Sequence, residues 1–346
     1  MSRPALTVLA TPISPAPRRL YTGLRGIGRR ILKPGTPGLS GPKYPGHYAL
    51  VRSVVEGLQA IGADFNFDPR SFSGLGRVVY APANEALLQA AALKRKDAID
   101  FLVAGPINAL LPDECDGILR MPEIDRLIVA SEWAINLFKD EPALVAKARV
   151  CPCGVDADAW KPSGARKERT AVIYWKSGDE AFCAGVQDTV RRCGLEPLVV
   201  ASRHGEHEMF TPDALRRMLD RSVLSVFLST FETQGIALAE AWAMNVPTVV
   251  WDPQGDAEWR GMHFKSDSSA PYLTRATGIA APDTAALEPA IRQALASLGS
   301  FTPREWVLEN MTDAICSKRL YELIMREAGK PAGSRAGWSG QTGKKR

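Results

Sequence analysis

The segment FLSTFETQGIALAEAWAMNVPTVVWD, residues 227–252, decides the fold. An apolar run ends at Leu228, Gly235 opens a helical pattern, and Asn245 and Pro247 stop it before a second apolar run reaches Trp251. Strand, helix and strand in this order make one βα unit of a parallel sheet. The helix begins where Thr233 to Ile236 offer backbone amides, and the positive end of its dipole adds to them, so this loop reads as a receptor for phosphate. Gly235 lets the backbone approach a ligand closely. Glu232 precedes the receptor, and Glu240 lies about one and a half turns inside the helix.

Two carboxylates beside a phosphate receptor would be repelled by the phosphate, so their task is to accept hydrogen bonds from sugar hydroxyls. A nucleotide sugar offers hydroxyls on both sides of its pyrophosphate. Outward from this segment the same alternation fills the chain. In the first half strands are expected at 6–10, 64–67, 77–80, 100–104, 126–130 and 149–153, and helices around 48–61, 84–93 and 131–147. Pro152, Gly154, Pro162, Ser163 and Gly164 then cluster before the charged run Arg166 to Arg169, a linker pattern. The second series places strands at 170–175, 197–201, 223–228, 247–251 and 278–280, and helices at 179–193, 212–219, 235–245 and 284–297. The amphipathic stretch 303–327 is long enough to pack back on the first domain.

The 346 residues suit two domains at about 150 residues each. We therefore expect an α/β chain of two doubly wound domains facing a central cleft, where ligands of such folds bind at strand carboxyl ends. The expected divisions are 1–160, 170–300, a returning helix at 301–328, and a disordered basic tail at 329–346.

Lys and Arg number 43 against 38 Asp and Glu. Nine cations and no acid precede Glu56, and five more with no acid follow residue 328, which leaves 29 cations against all 38 acids between them. An acidic body with basic ends does not read as a nucleic-acid binder. Leu20, Leu24, Ile27 and Ile31 recur at helical steps among Arg18, Arg25, Arg29 and Arg30, which suggests peripheral contact of residues 18–33 with an anionic membrane. No apolar run of about 18 residues occurs, and no signal-peptide pattern is seen. The six cysteines lack scaffold or metal-site spacing and read as reduced thiols, so the expected location is cytoplasmic.

The spacing Glu232-x7-Glu240, with Gly235, Ala241 and Pro247 in register, resembles the motif of retaining GT-B glycosyltransferases of the group-1 type. Three more segments resemble that family in the same chain order. They are the glycine-rich loop and first helix GLSGPKYPGHYALVRSVVEGL (38–58), the serine loop IVASEWAINLF (128–138), and the interdomain sequence CPCGVDADAWKP (151–162). The resemblance implies two Rossmann-like domains, the first on the acceptor side and the second binding the donor. It implies a hexosyltransferase that moves a sugar from a UDP- or GDP-linked donor to a glycan, glycolipid or lipid-linked acceptor in polysaccharide biosynthesis, with retention and no required metal.

By the same resemblance Glu232 contacts the donor sugar and Glu240 the nucleotide ribose, with Thr233, Gln234, Gly235 and Ile236 at the donor loop. Lys176, in YWKS after the first strand of the second domain, stands where the family places a phosphate-binding cation, and Arg203 or His204 could supply a second one. Tyr272 is a candidate for the donor pocket. Gly41, Lys43 and His47 belong to the N-domain side of the cleft, where Lys43 and Arg52 bring positive charge. The family's histidine after the fourth strand is replaced by GPIN (105–108), with Asn108 as the polar candidate. Asp156 and Asp158 match a DxD metal motif but lie in the linker, so we discount them. No P-loop, dinucleotide fingerprint, GxSxG or HExxH occurs. Two rival readings stay open, a sugar-nucleotide epimerase of the same fold and a non-catalytic nucleotide-sugar or glycan-binding protein.

Overall fold

The computed structural model describes residues 4–13, 46–106, 109–202 and 211–329. The first half contains β1 (Leu6–Val8), α1 (Gly46–Ala60), β2 (Phe65–Phe67), β3 (Val78–Ala81), α2 (Asn84–Lys94), β4 (Phe101–Ala104), β5 (Arg126–Val129), α3 (Glu132–Asn136), α4 (Pro142–Lys147) and β6 (Ala148–Val150). Its six strands pair in the order β2-β1-β3-β4-β5-β6, every pair parallel. The second half contains β7 (Glu168–Trp175), α5 (Glu180–Arg192), β8 (Glu196–Ala201), α6 (Pro212–Arg221), β9 (Ser222–Leu228), α7 (Ile236–Ala243) and β10 (Thr248–Trp251). There follow β11 (Gly255–Trp259), β12 (Met262–Ser266), β13 (Gly278–Ala281), α8 (Leu287–Ala296), α9 (Pro303–Asn310) and α10 (Asp313–Glu327). Its five-stranded sheet runs β13-β10-β9-β7-β8, again parallel throughout, while β11 and β12 form a separate antiparallel hairpin.

Strand alternation divides each sheet between two cores. On β3, Val79 and Ala81 face the core shared with α2, and Val78 and Tyr80 face the one shared with α1. In the second sheet Val172, Phe227 and Val250 meet α7, whereas Ile173, Val226 and Val249 meet α5 and α8.

Two expected helices are divided. Residues 131–147 form two helices: α3 ends at Asn136, and Pro142, which has no N–H to donate, opens α4. Residues 303–327 break at Met311 and Thr312, where the Thr312 hydroxyl accepts from Ile315 N at 3.3 Å and starts α10. The hairpin Gly255–Ser266 was not expected from the sequence. Residues 18–33 and 330–346 lie outside the described residues, so the segment expected to meet a membrane and nearly all of the basic tail do too. No described helix is long and apolar enough to cross a membrane, and all six cysteines are free thiols.

The chain passes between the halves twice at one place. Val155 and Thr312 form a parallel bridge, with Val155 N donating to Met311 O at 2.9 Å and Asp313 N to Val155 O at 3.1 Å. Beyond this point α10 lies against α1 and inserts Leu320, Tyr321, Ile324 and Met325 into the core of the first sheet. Burial of such side chains contributes on the order of 1.5–3 kcal/mol each. Glu327 fastens the helix end to Arg126 at 2.6 Å and Arg149 at 2.9 Å. The crossing is close because Gly57 has no side chain. A Cβ there would stand 2.2 Å from Ser317 Oγ and 2.3 Å from Asp313 O. Gly57→Ala is therefore expected to force α1 from α10 and lower stability by ~1–3 kcal/mol, read as a shift of the urea midpoint; an unchanged midpoint would show that the crossing tolerates a methyl group.

Candidate active site

In the second sheet β7 is followed by β8 on one side and by β9 on the other, so the strand order reverses between β7 and β9. In a doubly wound sheet such a reversal opens a crevice at the strand carboxyl ends. Here Leu228 O accepts from both Lys176 N at 2.9 Å and Ser177 N at 3.0 Å before the two loops part. Lys176 leaves from β7 and Ser229 to Glu232 from β9, and the Lys176 ammonium forms an ion pair with Glu232 Oε1. Ser229 Oγ lies 3.4 Å from the same carboxylate oxygen. The Glu232 backbone is fixed on both sides. Its N–H donates to Ser268 O at 3.0 Å, and its carbonyl accepts from the indole of Trp133, on α3 of the other half, at 2.9 Å.

Gly235 turns this loop into α7 with φ 71° and ψ 53°, the left-handed region that glycine tolerates best. A Cβ there would approach Leu238 Cδ1 to 2.8 Å. Among the described residues no side chain caps α7, so its first amides have no capping partner there. Glu240 is buried on the same helix. Burial pushes its carboxyl up to about 8, against the opposing pull of Arg52, so the neutral form prevails at pH 7 and can donate as well as accept a hydrogen bond. Burial likewise raises the Tyr174 hydroxyl, with Glu240 and Glu232 adding to the effect, and that hydroxyl donates to Ser202 Oγ at 3.0 Å.

The first half supplies the facing wall. Tyr272 OH donates to Ala130 O, and Asn136 Nδ2 donates to Asp267 Oδ2 at 2.7 Å. The hairpin reaches across as well. Trp259 Nε1 donates to Glu114 Oε1 at 2.8 Å, Arg260 lies 3.3 Å from that oxygen, and Leu111 N donates to Glu114 Oε2 at 2.9 Å. Glu114 is only 5% exposed, so these donors replace its water. A cavity of about 220 Å3 lies between the two halves, with Lys176, Glu232 and Thr233 at one end. Ser131, between β5 and α3, is buried, with no hydrogen-bond partner for its hydroxyl among the described residues.

The structure thus brings Lys176, Glu232, Thr233, Gly235 and Ile236 to one crevice, with Glu240 buried behind it. Gln234 is engaged by the backbone of Cys153. Its side chain accepts from Cys153 N at 3.0 Å and donates to Cys153 O at 3.2 Å, which clamps the loop before α7 to the segment between the halves. Tyr272 joins the halves through Ala130. Arg52 is held by Glu56 at 2.6 Å and Asp313 at 2.7 Å, so its guanidinium is already engaged by two carboxylates. Asp156 caps its own turn, accepting from Asp158 N at 3.0 Å and Ala159 N at 2.9 Å. Gly41, Lys43, Asn108, Arg203 and His204 lie outside the described residues, and His47 is placed only as the second residue of α1. The sequence reading passed over Trp133, Phe231, Glu114 and Trp259. Only the aromatics in an otherwise polar stretch, Trp259 and Phe264, hinted at the hairpin.

No family model and no curated protein sequence matches this chain. Solved structures do. Sucrose-phosphate synthase from Thermosynechococcus elongatus is 12% identical, with 94% of this chain and 99% of that chain covered and a TM-score of 0.53. HepE from Anabaena, solved with UDP and glucose, is 13% identical over 93% of this chain and 99% of that one, with a TM-score of 0.55. The catalytic domain of starch synthase IV from Arabidopsis thaliana, bound to ADP and acarbose, is 10% identical over 82% and 77% of the two chains, with a TM-score of 0.53. The architecture is therefore α/β of the GT-B type, shared with glycosyltransferases along most of the chain.

The Glu240 carboxyl generates a pH prediction. Its folded pKa of about 8 lies above the ordinary 4.5, so the folded state holds the proton longer. Stability is full below about pH 4.5 and falls as pH rises through about 8, by up to ~1.4 kcal/mol per pH unit for this group. Urea midpoints measured at about pH 5 and about pH 8 should fall for the parent and fall less for Glu240→Gln, with Asp313, also raised by burial, keeping part of the slope in both. Equal falls in the two proteins would remove Glu240 as a source.

Proposed function

We propose that this protein is a glycosyltransferase of the group-1 type, which transfers a hexose from a nucleotide-sugar donor, UDP- or GDP-linked, to an acceptor hydroxyl with retention. The observation that carries the reading is the Lys176–Glu232 ion pair at the strand-order reversal, beside the uncapped start of α7. The GT-B architecture supports it. So do HepE, solved with UDP-glucose, and the trehalose-phosphate synthase from Burkholderia vietnamiensis, described as UDP-forming. On this reading the half before residue 160 is the acceptor side, residues 170–300 bind the donor, 301–328 return to the first half, and 329–346 form a basic tail. The acceptor hydroxyl is met in the cytoplasm or at its membrane face, with residues 18–33 as the peripheral contact.

The donor diphosphate lies over the amides of Gly235 and Ile236, and Lys176 moves from Glu232 to the phosphate oxygens as a point charge. Glu232, freed of its partner, accepts from a sugar hydroxyl. Glu240, carrying its proton, exchanges hydrogen bonds with the ribose. In the transfer the acceptor oxygen bonds to the anomeric carbon. The bond from that carbon to the diphosphate oxygen breaks with its electron pair on the diphosphate, and the acceptor proton passes to the same diphosphate oxygen. Lys176 and the helix end stabilise the charge that develops on the leaving group. These groups supply the positive charge, so the reading requires no metal ion.

Calorimetry with a panel of UDP and GDP sugars tests the donor class; if no sugar nucleotide binds, the reading fails. With a donor in hand, Lys176→Met and Glu232→Gln should each lower turnover by ~10²–10³-fold. Turnover unchanged in Glu232→Gln would exclude the sugar contact, and an inverted anomer in the product's proton spectrum would exclude retention.

A further inference from the structure

The cavity at the Lys176–Glu232 pair has a lining that a sugar acceptor does not fit. Leu127, Val129, Ala134 and Phe138 line it from the first half, together with Leu110. Phe231 and Trp259 close it from the second half, and the Trp259 indole N–H is already donated to Glu114. Phe231 stands edge-on to Trp259 at 6.0 Å and to Phe264 at 5.0 Å, so the aromatic wall is itself packed. Among the described lining residues the polar side chains besides the Trp259 indole are Lys176 and Glu232, which pair with each other, and Thr233, all from the second half. A sugar ring here would press its hydroxyls against aliphatic carbon, and a hydroxyl removed from water without a partner is penalised. A dry apolar cavity of roughly 150 Å3 accepts one benzene ring. The volume of about 220 Å3 leaves room for such a ring with a short hydroxyl-bearing arm.

We propose that this cavity is the acceptor subsite, and that the acceptor is an alcohol or phenol with an apolar body whose hydroxyl points to the Lys176–Glu232 end. The proposal rests on the transferase reading for its chemistry and on the cavity lining for its specificity. The acceptor oxygen forms the bond to the anomeric carbon, the diphosphate leaves with the electron pair of the broken bond, and it takes the acceptor proton. The hairpin sets the selectivity. Glu114 holds Trp259 over the cavity, so the roof is apolar although the strand that carries it is polar.

The test needs no donor. Benzyl alcohol and methyl glucoside are titrated separately into the full-length protein, and binding is followed by amide NMR. Benzyl alcohol is expected to saturate, with shifts around Leu110, Ala134 and Phe231, and methyl glucoside to give no saturable shift there. Ala109→Trp places an indole in the cavity from a half-buried position and is expected to weaken benzyl alcohol at least tenfold. Should its spectrum show an unfolded protein, Trp259→Ala, which removes the roof, is expected to weaken binding in the same direction. Saturable methyl glucoside without benzyl alcohol overturns the proposal, as does a folded variant that binds benzyl alcohol as tightly as the parent. UDP- and GDP-sugar titrations separate the two readings. Benzyl alcohol binding with no sugar nucleotide removes the transferase reading and with it the acceptor role, whereas donor binding without benzyl alcohol removes only the apolar subsite.

Discussion

A parallel strand can rejoin its sheet only through a crossover that covers one face, and every pair in both sheets of this protein is parallel. Both faces of each sheet are therefore sealed by helices, and polar chemistry is confined to the strand ends. The arrangement of the crevice follows from that restriction. Lys176 and Glu232 are far apart in sequence, yet they leave adjacent strands at the same level because β7 and β9 pair from Ala171–Leu224 to Trp175–Leu228. Their meeting is a matter of strand register.

The same confinement explains the contrast between the two glutamates. Glu232 lies on the loop, within reach of an ammonium group and a hydroxyl. Glu240, on a helix rich in alanine, is buried, and the cation that opposes its burial, Arg52, is already engaged by two other carboxylates. Desolvation then outweighs the distant cation and the carboxyl keeps its proton. One motif thus presents two acids of opposite electrostatic character, an ion-paired carboxylate and a neutral acid.

Much of the architecture was legible because strands buried on both faces appear as continuous apolar runs. The segments around Val79, Leu102, Ile128, Val226 and Val249 all fell where expected to within one residue at each end. The loop before α7 was legible because its reversal needs Gly235. Features that depend on the far side of the molecule were not. The β11–β12 hairpin lies outside both sheets, so its residues alternate with no apolar run, and its position is decided by Glu114 in the other half. Gln234 reads as a ligand candidate from its place in the motif, and nothing local announces its bonds to the backbone of Cys153, 81 positions away. Arg52 read as a cation for an anionic ligand, because nothing local announces Asp313, 261 positions on.

The returning helix has a consequence for how the chain is made. Leu320, Tyr321, Ile324 and Met325 belong to the core of the first sheet, so the part of the protein that leaves the ribosome first cannot complete its interior until almost the last described residue has followed. The second sheet, by contrast, draws its strands and most of its helices from one continuous stretch. In the nascent chain α1 therefore waits with its apolar face uncovered while the later half assembles, and the arrival of α10 both seals that face and couples the two halves. The order of synthesis and the order of completion are reversed.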